Sequence, residues 1–338
     1  MNYYRIIAST LRFNSMPKKS LFAIALVVML GWSEFANAQD PQFTQFYANP
    51  LYLNPAFAGT ARCPRAIMNY RNEWPALSGT FVTYSASYDQ HVDALQGGLG
   101  IIVMQDRAGE GTLNTTTANV VYSYRFNVNR SFSIKAGFQA GYMQKKVDWE
   151  KLTFGDMIDP RYGFIYETSE TQVSDTRGNL DISAGVLGFS KQYFGGIAVH
   201  HITQPKEGFI VQDQARLPMK ITVHAGAIIP LDESDDASVS PNILFQKQQD
   251  FIQINLGVYV NKGPIVGGLW YRQAEKNSDA FIALVGFHQG MIKFGYSYDV
   301  TLSKLSNATN GSHEFSFQLQ FECRPKKRKF RAISCPSF

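Results

Sequence analysis

Residues 252–260, IQINLGVYV, decide the fold class of this chain, because apolar side chains alternate with the others along them. The apolar series is Ile252, Ile254, Leu256, Val258 and Val260, and the intervening series is Gln253, Asn255, Gly257 and Tyr259. A period of two places successive side chains on opposite faces of a β-strand. The segment therefore predicts a strand with one apolar face.

The same alternation recurs from residue 65 to the end of the chain, in segments of about ten residues. We predict fourteen strands, at residues 65–74, 80–91, 97–106, 113–126, 131–147, 178–190, 193–201, 218–229, 237–247, 251–261, 264–274, 279–288, 291–299 and 312–322. No apolar run after residue 38 is long enough to cross a membrane as a helix. The chain is therefore predicted to be all-β.

Amphipathic strands in this number fit a soluble sandwich or propeller, with apolar faces inward, or a membrane barrel, with apolar faces toward lipid. The predicted even-numbered connections are mostly tight turns, whereas the longest ones are odd-numbered and span residues 148–177, 202–217 and 300–311. Short periplasmic turns and longer outer loops are typical of outer-membrane barrels. The sequence thus favours a transmembrane antiparallel β-barrel of about 14 strands, over residues 63–322.

The composition indicates a chain that faces something other than water. Charged residues make up 17% of it and aromatic residues 14%, whereas a soluble domain is typically about a quarter charged. The spacings G-x-S-x-G and H-E-x-x-H are absent from the sequence, so neither a serine hydrolase nor a zinc protease is predicted. We expect no enzymatic activity, no catalytic or metal site, and no cofactor.

Residues 1–38 have the layout of a secretory signal peptide. Basic Lys18 and Lys19 precede an apolar run at 21–32, and Ala36-Asn37-Ala38 is a small-residue cleavage site. The apolar run is shorter than the roughly 20 residues that a membrane anchor needs. Cleavage before Gln39 leaves 28 basic and 26 acidic residues, and so small a net charge argues against a nucleic-acid partner.

Residues 39–62 precede the first predicted strand and contain DPQFTQFYANPLYLNPAFAGT, from Asp40 to Thr60. The prolines in this stretch exclude a regular element, and the Asn-Pro steps favour fixed turns. We predict a periplasmic segment that either caps the barrel mouth or enters the lumen, as a plug or as a docking strip for a secretion partner. The residues predicted to make partner contacts are Phe43, Phe46, Tyr47, Asn49, Pro50, Tyr52, Asn54 and Pro55.

Two further regions are candidates for partner contact. The aromatic outer loop 148–177 is predicted either to bind a surface partner or to fold over the pore as a lid, through Trp149, Phe154, Tyr162 and Phe164. The tail 323–338 has six basic residues between Arg324 and Arg331 and is predicted to be periplasmic. It either attracts an acidic partner or anionic lipid headgroups, or is simply solvated.

The three cysteines are Cys63, Cys323 and Cys335, near the two ends of the mature chain. In an exported protein this number predicts one disulfide and one remaining thiol. The sequence leaves the pairing open.

Several stretches near the two ends of the mature chain are distinctive. They are QDPQFTQFYANPLYLNPAFAGT (39–60), YRNEWPAL (70–77), FVTYSASYDQ (81–90), LQGGLGIIV (95–103), FGYSYDVTLSKL (294–305), GSHEFSFQLQF (311–321) and the terminal SCPSF (334–338). These stretches resemble the PorP/SprF family of type IX secretion system membrane proteins of Bacteroidetes. The similarity extends over essentially the whole mature chain.

The resemblance implies an outer-membrane barrel of the type IX export and gliding machinery, with no catalytic residues. It implies a protein that binds and helps to export or anchor a secreted cell-surface adhesin, which itself carries a type IX C-terminal sorting domain. Other implied partners are further type IX secretion or gliding components, a periplasmic peptidoglycan-linked protein and outer-membrane lipid.

An outer-membrane porin or uptake channel is the alternative, since it shares every argument for a barrel. The predicted lumen distinguishes the two, because charges of both signs line it: Arg125, Lys135, Lys293, Asp89, Asp181 and Asp299. Mixed signs favour a lumen crossed by hydrogen bonds and ion pairs over a strongly selective pore.

Overall fold

The computed structural model describes residues 39–61, 63–77, 79–170, 174–209, 215–232, 236–274, 278–302 and 309–322. Its main feature is one sheet of fourteen long antiparallel strands that closes on itself. The predicted signal peptide and the basic tail lie outside the described residues. Among the residues that are described, no helix is long and apolar enough to cross a membrane.

Each long strand pairs with the next along the chain, and β14 pairs with β1 to close the barrel. The strands are β1 (Arg65–Glu73), β2 (Phe81–Val92), β3 (Gly97–Ala108), β4 (Leu113–Asn127), β5 (Ser133–Val147), β6 (Thr176–Phe189), β7 (Tyr193–His200), β8 (Lys220–Ala227), β9 (Ala237–Gln248), β10 (Phe251–Lys262), β11 (Ile265–Ala274), β12 (Ser278–Gln289), β13 (Ile292–Thr301) and β14 (Ser312–Gln320). A short strand, Ile229–Pro230, continues β8 along β9. The predicted fourteen-stranded barrel is confirmed, with every boundary within two residues.

The two ends of the barrel differ in their connections. At one end, here the short-turn end, the connections are 93–96, 128–132, 190–192, 228–236, 263–264 and 290–291. At the other, here the long-loop end, they are 74–80, 109–112, 148–175, 201–219, 249–250, 275–277 and 302–311. The three longest connections, 148–175, 201–219 and 302–311, all lie at the long-loop end, as predicted.

The strands turn their apolar faces outward. Leu180 is 73% exposed and Val120 is 61% exposed, whereas the neighbouring Asp181 and Val121 are buried. Polar side chains dominate the buried series on most strands, as with Asn69 and Arg71 on β1. An apolar exterior around a largely polar interior suits a barrel surrounded by lipid and reverses the pattern of a soluble protein.

Candidate functional site in the barrel lumen

Residues 39–61, here the plug, lie inside the barrel against the inner faces of its strands. The plug is built from one-turn elements: a short helix α1 (Pro50–Leu53) between two 3-10 turns, Phe46–Ala48 and Pro55–Phe57. Pro50 and Pro55 each begin a turn, where a backbone N–H is not needed. The Asn54 side chain accepts a hydrogen bond from the Ala56 N–H at 2.9 Å, which caps the second turn.

The plug crosses the lumen from one end of the barrel to the other. At the long-loop end, the Asp40 N–H donates to Gln248, the last residue of β9, at 3.1 Å. At the short-turn end, the Gly59 N–H donates to the Asp89 carboxylate of β2 at 2.6 Å. Of the two placements considered from the sequence, the lumen is the one observed. Both predicted placements keep the segment on the short-turn side, whereas it extends to Gln248 at the long-loop end.

A buried charge cluster holds the beginning of the plug. The Asp40 carboxylate lies 2.9 Å from His201 Nε2 and 3.5 Å from Lys220 Nζ, and His201 Nδ1 lies 3.0 Å from Asp181. Burial would raise the pKa of Asp40, but His201 and Lys220 bring it well below its usual range. Burial would lower the pKa of His201, but Asp40 and Asp181 raise it to about 10. Asp40 and His201 are therefore both ionised at neutral pH.

Tyr52 ties the helix α1 to the same cluster. Its hydroxyl donates to the Pro41 carbonyl and accepts from Lys220 Nζ at 3.0 Å. The Lys220 ammonium also lies 4.6 Å from the centre of the Tyr52 ring, a cation–π arrangement. Burial is the main reason that the pKa of Tyr52 rises to about 12, so the phenol stays protonated and keeps its hydrogen bond to Pro41.

Glu314 on β14 binds the next part of the plug. Its carboxylate accepts hydrogen bonds from the Thr44 N–H at 2.6 Å, the Thr44 hydroxyl at 2.8 Å and the Gln45 N–H at 3.1 Å. Arg71 lies 3.5 Å from Glu314 and 3.1 Å from Asp299. The two carboxylates and the guanidinium thus partly neutralise one another, which lowers the cost of burying them.

Apolar contacts fill the lumen between these polar anchors. The ring centroids of Phe46 and Trp270 lie 4.9 Å apart, and those of Tyr47 and Phe194 lie 5.4 Å apart. Phe57 stacks on His224 at 5.3 Å. The aromatic side chains of the plug therefore pack on the inner wall of the barrel.

Glycines in the wall make room for the plug backbone. A Cβ on Gly137 would lie 2.2 Å from the Ala56 nitrogen, and one on Gly98 would lie 2.1 Å from the Ala58 oxygen. A Cβ on Gly185 would lie 2.1 Å from the Asn54 side-chain oxygen. Contacts this short do not occur between real atoms, so the wall at these points is shaped to the plug.

The last part of the plug is held at the short-turn end. The Asp89 carboxylate accepts the hydrogen bond from the Gly59 N–H and also pairs with Arg65, whose Nε lies 2.6 Å away. The Ala58 carbonyl accepts from the Ser123 hydroxyl at 2.7 Å and from the Lys135 ammonium. The predicted lumen charges on β2 and β5 are thus used to bind the plug.

The candidate partner residues fall into two separate sets. The eight from the N-terminal segment lie in the lumen, where all are buried except the half-buried Tyr52. The four from the loop lie on the 148–175 connection, where Trp149 stacks on Phe154 while Tyr162 and Phe164 are exposed. Within the described residues, no group of His, Cys, Asp or Glu is arranged to hold a metal ion. Cys63 is disulfide-bonded, and the other two cysteines lie outside the described residues.

Sequence reasoning missed four features of this site: Glu314, Arg71, His201 as an ion-pair partner, and the fit of the wall glycines to the plug. The signal for the glycines was present, since Gly98, Gly137 and Gly185 all fall on inward-facing strand positions. Interior glycines weaken a strand and often mark a close approach of another backbone. The other partners lie too far away in the chain for a local pattern to reveal them.

The fold and its apolar exterior define an outer-membrane β-barrel, here with a chain segment packed into its lumen. Residues 35–319 match the family model described as type IX secretion system membrane protein PorP/SprF. The chain belongs to the PorP/SprF family and is an outer-membrane component of the type IX secretion system. As a member of that family with a barrel fold, it has a structural or transport role.

Comparison with solved structures returns other membrane barrels. Omp33 of Acinetobacter baumannii is 7% identical, with 77% of this chain and 99% of that chain covered, at a TM-score of 0.45. CymD, a monoaromatic hydrocarbon channel, is 11% identical, with 82% and 93% covered, at 0.46. A Pseudomonas aeruginosa FadL homologue is 12% identical, with 85% and 100% covered, at 0.45. No curated protein matches the sequence.

Proposed function

We propose that this barrel binds a secreted cell-surface adhesin and helps to export it or anchor it at the outer membrane, acting as a closed body without chemistry. The observation that carries the proposal is the plug. Its anchors lie on strands all around the barrel, from Asp89 on β2 through Lys135 on β5 to Glu314 on β14. A lumen filled in this way leaves the connections at the two ends of the barrel as the surfaces for partners.

The orientation follows from the connections. In outer-membrane barrels the short turns face the periplasm and the longer loops face outward. The long-loop end, with the 148–175 connection, then meets a secreted adhesin. The short-turn end, where β14 ends, meets the other type IX or gliding components and a peptidoglycan-linked periplasmic protein.

A second candidate function, an uptake channel, is favoured by one observation. Gln139 Oε1, Ser183 Oγ and Thr222 Oγ1 face inward and have no hydrogen-bond partner among the described residues. Buried polar atoms of this kind usually bind water. A chain of such waters beside the plug would give a narrow path for small solutes.

The two candidates are separated by comparing the intact protein with a variant that lacks Gln42 to Gly59. Each is reconstituted in planar bilayers for single-channel recording, and each is purified from detergent-solubilised outer membranes with mass spectrometry of the accompanying proteins. The anchor function predicts a closed intact barrel that retains a large secreted adhesin, and steady conductance for the deletion variant. An intact protein that conducts steadily and is recovered alone would refute it in favour of the channel.

The deletion needs a folding control, because the plug packs on so much of the wall. Folded barrels migrate differently from heated ones in detergent gels, which reports closure of the sheet. A deletion variant that does not fold is replaced by Gly137→Val, which displaces the plug only around Pro55 and Ala56.

A further inference from the structure

The connection between β5 and β6 contains a folded unit of its own at the long-loop end. Residues 154–170, here the arm, form a hairpin in which Ile158–Asp159 pairs with Gly163–Phe164. The arm follows the short turn Trp149–Lys151. Lys151 fixes the base of the arm, because its ammonium donates to the Glu110 carbonyl of the neighbouring connection at 3.0 Å.

Two carboxylates hold the arm in shape. Asp159 accepts from the Arg161 N–H at 2.7 Å, the Tyr162 N–H at 2.9 Å and the Tyr166 hydroxyl at 2.8 Å. Asp156 accepts from the Ser169 N–H at 2.6 Å and from the Thr168 hydroxyl at 3.0 Å. The backbone hydrogen bonds from Arg161 and Ser169 are the main reason that the pKa of each carboxyl lies below its usual value. Both groups therefore stay ionised.

This ordered unit turns its apolar side chains toward solvent. Tyr162 is 68% exposed and Phe164 is 59% exposed, and Ile158, Ile165 and Tyr166 are exposed beside them. The outward side chains of the strands face lipid, but these belong to a connection beyond the strand ends. An exposed apolar patch is typical of a protein-binding surface. Because the backbone of the arm is already ordered, binding a partner there costs little conformational entropy.

The charge around the patch selects the partner. Residues 148–175 contain seven carboxylates and two basic side chains. The carboxylates are Asp148, Glu150, Asp156, Asp159, Glu167, Glu170 and Asp175. The whole chain has a net charge of +5, so this acidity belongs to the loop. Acidic surfaces attract basic partners and repel anionic lipid headgroups.

We propose that the arm is the docking surface for a basic segment of the secreted partner, one that also presents apolar side chains to Tyr162 and Phe164. The inference rests on the proposed function, because it names where and by what chemistry the adhesin is held. The aromatic side chains supply the apolar contact area. Glu167 and Glu170, which are exposed on the same unit, supply the charge.

The test uses the full-length protein in its own outer membrane and three double variants. Tyr162→Ser with Phe164→Ser removes the apolar contact, and Glu167→Lys with Glu170→Lys inverts the charge. The control, Val128→Ser with Leu231→Ser, removes two similarly exposed apolar side chains from the short-turn end. Heat-dependent gel migration confirms that each barrel is folded.

The readout is the amount of the secreted protein recovered per barrel, at about 50 mM and about 500 mM NaCl. We expect each arm variant to retain about tenfold less than the wild type at low salt, and the control to match the wild type. High salt should reduce wild-type retention several-fold, because it screens exposed charges.

The outcomes separate the inference from the function on which it rests. Retention of the adhesin by wild type and both arm variants alike would overturn the docking site and leave the anchor function standing. If adhesin retention falls with the serine variant, but neither with the lysine variant nor at high salt, the proposed basic character of the partner would be overturned. Fewer variant barrels in the membrane, with unchanged adhesin per barrel, would mean that the arm binds lipid instead. A wild-type protein that retains no adhesin would overturn both proposals.

Discussion

Single carboxylates do much of the work of holding the plug in the lumen. Asp89 and Glu314 each accept backbone N–H groups from the plug and pair with an arginine on β1, Arg65 or Arg71. A buried carboxylate is tolerated only when its charge and lone pairs are satisfied. The plug and the wall therefore stabilise each other. The wall carboxylates accept hydrogen bonds from plug N–H groups, and these N–H groups satisfy the lone pairs of the buried carboxylates.

Removing one of these carboxylates should lower the stability of the folded barrel. We expect Glu314→Ala to lower the free energy of unfolding by about 3 kcal/mol, because the Thr44 and Gln45 donors lose their acceptor and Arg71 keeps only Asp299 of the two carboxylates. Denaturant unfolding in micelles, followed by tryptophan fluorescence, measures the change. Glu170→Ala on the exposed arm is the control and should be neutral. Equal stability of the two variants would contradict the role given to Glu314.

A single glycine tests the fit between plug and wall. We expect Gly137→Val to displace the turn at Ala56, because a Cβ there would lie 2.2 Å from the Ala56 nitrogen. The matched control is Gly267→Val on β11, where a Cβ would meet nothing within 4 Å. Single-channel recording should show openings for the first variant and none for the second. Closed channels in both would mean that the turn at Ala56 does not block the lumen.

At the scale of elements, the plug is a non-regular segment held by strands that are regular. Two of its three turns begin at prolines and all end within a few residues, so the Thr44 and Gly59 N–H groups need partners outside the segment. These groups donate to the carboxylates of Glu314 and Asp89. The strands thus complete the secondary structure that the plug cannot make alone.

The charge cluster at the long-loop end should make the anchoring of the plug depend on pH. The folded pKa of His201, about 10, lies above its unfolded value of 6.5, so its contribution is complete below about 6.5 and is lost as pH rises through about 10. The Asp40 pKa is lowered from 3.8, so its contribution is present above 3.8 and is lost as pH falls below it.

This pH dependence can be measured as the difference in the free energy of unfolding between the wild type and a variant. We expect His201→Gln to be less stable than the wild type at pH 7, and the difference to shrink as pH rises through about 10. For Asp40→Asn, the difference should shrink in strong acid instead. Unfolding at a series of pH values, with the long-loop residue change Glu110→Gln as a control, gives both curves. A His201→Gln difference that is constant from pH 6 to 11 would rule out the ion pairs as its source.

At the scale of the whole molecule, the plug brings Asp40 to the long-loop end. Asp40 is bound there, while the chain enters β1 at the short-turn end. An ordinary barrel with periplasmic termini would keep this residue on the other side of the membrane. With the proposed orientation, the plug therefore places Asp40 at the outer mouth of the barrel.

An epitope tag between Gln39 and Asp40 should accordingly be stained by antibody on intact cells, because Gln39 is exposed at the long-loop end. A tag between Gly263 and Pro264, in a short turn, should be stained only after permeabilisation. Staining of the first tag only in permeabilised cells would mean that the plug does not cross the lumen, or that the barrel is oriented the other way.

The sequence by itself determined the barrel, its strand number and its strand boundaries. Each strand shows its period of two over consecutive residues, as in Ile252 to Val260, and each turn is marked by residues next to it. The family resemblance also followed from local stretches, and the family match over residues 35–319 confirmed it. These properties are local, so a pattern in the chain is enough to reveal them.

Only the tertiary structure decided where the N-terminal segment goes. Thr44 meets Glu314 across 270 positions of sequence, and Asn54 meets the Val186 carbonyl across 132. The aromatic residues of the segment are compatible with a cap, a plug or a docking strip, because all three make apolar contacts. The choice depended on which inward-facing groups, brought together by closure of the sheet, could satisfy the backbone and charges of the segment.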